Sequence, residues 1–239
     1  MNIFLHELKS FRKSTALWTI SLVIVIIVYF SLFPSFSRDI DQMRNLLQGF
    51  PEAIRIGMGI TLDSFSNVLG YYSFPFSFIV LIGAIQAMNL GTSIVSKEVR
   101  EKTADFLLTK PITRTQILTS KILAIITSLI ITNVIYTVAA SITASIVKND
   151  DYSFKIFFMI SITLLFVQLI FMSLGVIVSV ILPRIKSILP ISLATVFIFY
   201  FISFLSSTAT DDMIRYITPF KYFDPAYIIE NSGYEPTFV

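Results

Sequence analysis

Gln86, Asn89, Asn133 and Gln168 are carboxamides set deep inside long stretches of apolar sequence, and they are the first residues to weigh for chemistry. The 239-residue chain has no cysteine and one histidine, His6. Disulfides, thiolate metal sites and thiol nucleophiles are therefore excluded. Five stretches carry no Asp, Glu, Lys, Arg or His: Ser14–Ser37, Ser64–Ser96, Ile122–Val147, Ile156–Pro183 and Ser187–Thr210. Inside them only hydroxyls and amides are available. A serine such as Ser141 or Ser173 has no base in a stretch to activate it. General acid–base work and metal binding also lack their side chains there. The four carboxamides could line a polar path, or they could bond across helices as packing glue.

The charges collect instead between the second and third stretches. Residues 96–121 read SKEVREKTADFLLTKPITRTQILTSK. Glu98, Arg100, Glu101 and Lys102 lead into Thr103, and Phe106, Leu107 and Leu108 form an apolar tip. Pro111 disfavours helix at Lys110. Thr113 and Gln116 have the spacing of a capping box, which starts a helix before Arg114. The expected unit is a short helix, a Pro turn and a second helix. An apolar tip flanked by charges suits a partner surface, with the charges fixing orientation.

The elements that hold these residues follow from the uncharged stretches. A helix needs about 20 apolar residues to cross ~30 Å of hydrocarbon, and each stretch is long enough. Charged residues are 14% of the chain, against about a quarter in soluble domains, and the mean hydropathy is +0.80. Strands of a barrel would alternate polar and apolar residues. The expected fold is an all-α integral membrane bundle in one domain, residues 1–239. Its spans are expected at about 17–33, 73–95, 122–146, 156–182 and 188–205. Gly83, Ala87 and Gly91 recur every fourth residue, a stripe that lets another helix backbone approach.

The hydrophilic segments alternate in charge. Residues 1–13, 97–121 and 184–186 hold eleven Lys and Arg against four acids, and the remainder holds seven against eleven. The positive-inside rule puts the first set in the cytoplasm, with the N-terminus. Phe4, Leu8 and Phe11 make residues 1–13 an expected interfacial helix. Pro34 is expected at the exit of span one. Residues 206–239 are expected outside as an extracytoplasmic tail.

Segment 96–121 resembles the inner loop of permease subunits of bacterial type-2 ATP-binding-cassette (ABC) exporters. The resemblance rests on Glu98 or Glu101, Thr103, Leu107-Leu108, Pro111, Arg114 and Lys121. Pro51-Glu52, Gly57 and Gly70-Tyr71 resemble the family's outer loop. The resemblance implies that Val99 to Thr115 is the coupling element, its short helix seated in a cleft of an ATPase subunit. It implies six spans where five are readable, and a bacterial plasma-membrane location. It implies a dimeric ABC ATPase as partner, and a second permease copy or a homologous permease. No phosphate-binding G-x-x-x-x-G-K-[ST] motif is present, so ATP and magnesium would be bound by the ATPase and no cofactor by this chain.

Other classes fare worse on the same residues. A membrane-embedded enzyme lacks ionisable groups in its spans. Ion-coupled carriers usually keep such groups inside the membrane. Nucleic acid is not an expected partner. A sensory or immunity module on the same scaffold stays open at this level, and so does the identity of the substrate.

Overall fold

The structure, a computed structural model, describes residues 3–38, 45, 48–51, 55, 67–101, 113–148, 150–182, 185, 187–206 and 215–238. Five long helices dominate: α1 (Ile3–Arg38), α2 (Val68–Glu101), α3 (Arg114–Val147), α4 (Phe154–Ile181) and α5 (Ile188–Ser206). A 3-10 turn at Pro219–Lys221 and a short α6 (Pro225–Asn231) follow. No strand occurs among the described residues. All five long helices are long and apolar enough to cross a membrane.

Local signals explain the helix ends. Asn67 caps α2, its Oδ1 accepting from the Gly70 N–H at 2.7 Å. Thr113 and Gln116 form a complete capping box at α3, with both reciprocal bonds at 3.3 Å. Ser153 accepts from the Ile156 N–H at the start of α4. Such caps satisfy backbone donors that the first helical turn leaves unpaired.

Three boundaries differ from the sequence reading. Residues 1–13 do not form a separate interfacial helix: α1 runs unbroken from Ile3. No Pro or Gly interrupts the chain between Lys9 and Leu17, and Lys, Arg, Ala and Leu there are good helix formers. Pro34 lies inside α1, four residues before its end, instead of marking its exit. α2 begins at Val68, five residues before the expected Ser73, because Asn67 supplies the cap. Pro75 therefore sits two turns into α2.

Hairpin alternation puts the starts of α1, α3 and α5 with the ends of α2 and α4. This is the basic end of the bundle; the opposite end is called the far end. α2 is the most buried of the five helices. The two most extensive interfaces join helices running in the same direction, α2 with α4 and α1 with α3. α5 packs mainly on α2. Leu17, Ile20, Ile24 and Val28 of α1 stay exposed, as do Val134, Val138, Ile142 and Ile146 of α3. Apolar faces of this kind suit lipid.

Candidate functional site

α2 meets α4 almost backbone to backbone. A β-carbon added to Gly91 would lie 2.3 Å from the Met172 carbonyl oxygen, and one added to Gly175 would lie 2.7 Å from the Met88 carbonyl. At Gly83 the nearest atom would be Leu164 Cδ1, at 2.5 Å. Ala87, between the two α2 glycines, is fully buried. The stripe Gly83, Ala87, Gly91 is the face that α2 turns to α4. Gly175 is the matching small residue on α4.

A buried polar chain crosses the bundle beside this contact. The Asn133 amide donates to the Leu129 carbonyl at 2.9 Å and to Gln168 Oε1 at 2.6 Å. Gln168 Nε2 donates to Gln86 Oε1 at 3.2 Å, and Gln86 Nε2 donates to Thr132 Oγ1 at 3.0 Å. The Thr132 hydroxyl shares a bond of 2.9 Å with Thr19. The Leu129 carbonyl can only accept, so it sets the direction of the amide chain. Four helices, α1 to α4, are tied through these five side chains. Within this polar chain, Asn133 Oδ1 is buried with no partner.

Three of the four carboxamides singled out in the sequence thus meet, and they meet as interhelical bonds. Asn89 is half-buried and apart from the chain. Thr132 and Thr19 were missed by sequence reading. Threonines are common in membrane helices, and nothing in their spacing marks these two.

Two further polar contacts join the same helices. At the basic end, the buried Lys121 ammonium donates to the Ile94 carbonyl at 2.9 Å. Towards the far end, the Tyr72 hydroxyl bonds Tyr136 at 2.6 Å and Ser161 at 3.0 Å. Tyr72 also stacks on Phe157, at 4.7 Å between ring centres. All three hydroxyl-bearing residues are fully buried.

Ile94 and Lys121 flank the charged segment. Glu98, Arg100 and Glu101 lie on the last turns of α2, as backbone. Thr113 caps α3 and Arg114 is its exposed first residue. Lys102, Thr103, Phe106, Leu107, Leu108, Lys110 and Pro111 lie outside the described residues.

A family model described as ABC-2 family transporter protein matches residues 1–227. The chain belongs to this family. It is a multi-pass membrane protein, a permease component of an ABC transporter. No curated protein and no solved structure matches it. Among the described residues no cluster of His, Asp and Glu could hold a metal.

The permease also folds its last described segment back on the bundle. The Thr218 hydroxyl donates to the Phe199 carbonyl of α5 at 3.0 Å, and the Tyr234 hydroxyl to the Met159 carbonyl of α4 at 2.9 Å. Phe220 packs against Phe171 at 5.1 Å, near the middle of α4. Ile228 of α6 is buried. Arg215 and Glu235 are ion-paired, and Arg215 lies 5.4 Å over the Phe238 ring. The tail therefore packs along α4 from its far end towards its middle. Its aromatics were visible in the sequence, but the surface they cover was not.

Proposed function

We propose that this permease is the membrane-spanning subunit of an ATP-driven exporter in a bacterial cytoplasmic membrane. A separate ABC ATPase dimer binds ATP and magnesium and drives it. The basic end faces the cytoplasm, with the N-terminus, and residues 99–115 are the coupling element. A second copy, or a homologous permease, completes the translocation unit.

The observation that carries this reading is the family match over residues 1–227. Uncharged spans support it, since they leave no ionisable group for ion coupling within them. The reading is also supported at the end of this segment, where Thr113 caps α3 and Arg114 is exposed.

The test is co-purification in detergent with candidate ABC ATPase subunits from the same genome, followed by ATP hydrolysis. The unmodified pair should co-elute. Leu107→Asp/Leu108→Asp should abolish co-elution while the permease keeps its elution volume and thermal transition. Co-elution that ignores those leucines overturns the coupling assignment, and absence of any bound ATPase overturns the exporter reading.

A further inference from the structure

The described spans divide into two groups. α1 and α3 form one; α2, α4 and α5 with the docked tail form the other. Within the second group, α2 and α4 touch through backbone at Gly91 and Gly175, a contact with no room to adjust. Between the groups polar contacts occur at three levels, and towards the far end aromatic rings also pack across the seam, Phe30 on Tyr72 at 5.7 Å, with Tyr71 donating to the Tyr29 carbonyl at 2.7 Å. Lys121 reaches the Ile94 carbonyl, Gln86 reaches Thr132 beside the Asn133–Gln168 bond, and Tyr72 reaches Tyr136. On α2 these levels span Ile94 to Tyr72, about 33 Å at 1.5 Å per residue. The donors are long side chains, which keep a partner through small displacements.

Chain connectivity adds the decisive point. Residues 102–112 join α2 to α3, and so join one group to the other. A force on that segment acts across the seam. The seam also holds the means for a second arrangement. Asn133 Oδ1 is buried without a partner, and the neighbouring Gln168 amide has two hydrogens, of which one goes to Gln86. A small slide lets Gln168 donate to Asn133 instead. Interfaces with two discrete arrangements switch between them and do not deform continuously.

We propose that the ATPase stroke slides α1–α3 past α2–α4–α5 along this seam, with Gln86, Asn133 and Gln168 as the positioning residues that exchange partners. The proposal rests on the ABC-permease reading and specifies which surfaces move.

The absence of native cysteine permits a direct test with paired spin labels. Ile24 on α1, Val138 on α3 and Ile177 on α4 are all more than half exposed, so labels there leave the core intact. Ile24→Cys/Ile177→Cys measures across the seam; Ile24→Cys/Val138→Cys measures within the first group. Both are recorded in the assembled complex in nanodiscs, diluted with unlabelled permease, without nucleotide and with ATP trapped by vanadate. The cross-seam distance should shift by about 2 Å or more, the scale of interhelical displacements in switching proteins. The within-group distance should stay fixed. Gln86→Leu deletes the acceptor that Gln168 leaves on sliding, so it should raise the shifted population without nucleotide by about threefold, the change that ~0.6 kcal/mol, a typical interhelical bond in membranes, produces.

A bound, active ATPase with both distances unchanged overturns the seam and leaves the exporter reading standing. Equal shifts in both pairs also overturn it. A permease that binds no ATPase sinks the exporter reading, and the seam with it.

Discussion

Gly91 lies so close to Met172 that a β-carbon on residue 91 would stand 2.3 Å from the Met172 carbonyl oxygen. A carbonyl in the middle of α4 cannot turn aside without breaking its helix. Gly91→Ala should therefore force the helices apart and cost about 1–3 kcal/mol, as overpacking does. At Gly83 the obstacle is Leu164 Cδ1, the end of a flexible side chain. Gly83→Ala should cost less, because Leu164 can change rotamer. Thermal unfolding in detergent, followed by size-exclusion chromatography, should rank Gly91→Ala below Gly83→Ala and both below the parent. The reverse order would contradict the packing described.

The carboxamides should separate in the same assay. Gln168→Leu leaves Gln86 Oε1 and one of the two Asn133 amide hydrogens without a partner in the buried interior, the other hydrogen keeping the Leu129 carbonyl. An unsatisfied buried polar group costs about 1–3 kcal/mol. Asn89 bears no such bond, so Asn89→Leu should stay within about 0.5 kcal/mol of the parent. If Gln168→Leu is as stable as Asn89→Leu, the amide chain does not hold the bundle together.

The sequence made the five spans readable because exclusion of charge from hydrocarbon is a strong, local rule. It misplaced the start of α2 because the cap, Asn67, sits among residues that already look apolar. It made α1 two segments because the amphipathic start and the apolar span differ in composition, though nothing between Lys9 and Leu17 stops a helix. Gly83, Ala87 and Gly91 announced a close contact without naming Met172 or Gly175, which depends on how the helices associate. The carboxamides were visible, yet the sequence alone left two readings open. Only their mutual geometry, with Thr132 and Thr19 between α1 and α3, shows what each one touches.

The docked tail has a pH dependence of definite sign. Burial pushes the Lys221 ammonium below the ordinary lysine value; Asp224 opposes this and Arg215 adds to it. The docked tail then holds that proton less tightly than a released tail does. Docking should strengthen as pH rises through the lowered value towards the ordinary one, and the gain is absent below it. The Tyr234 phenol, raised by burial, acts in the opposite sense only above its ordinary range. Limited proteolysis of residues 215–238 should slow between about pH 7 and about pH 9.5, below the ordinary tyrosine and lysine values. Lys221→Met should be slow at both. A tail cut faster at the higher pH would show that Lys221 does not control docking.

The Thr113 cap offers a way to loosen the coupling segment without touching its apolar tip. Thr113 Oγ1 accepts from the Gln116 N–H while the Gln116 side chain accepts from the Thr113 N–H. Thr113→Ala removes the first bond and frees the second to fray, at a cost of about 1 kcal/mol. Fraying spreads from the end of a helix, so it should stop where Lys121 ties α3 to Ile94. Hydrogen exchange at residues 114–120 should rise by roughly fivefold, as ~1 kcal/mol implies for local opening. Exchange beyond Lys121 should be unchanged. Thr113→Ser keeps the oxygen and should restore protection. If exchange rises equally on both sides of Lys121, the lysine does not anchor the start of α3. If Thr113→Ser behaves like Thr113→Ala, the hydroxyl is not the cap.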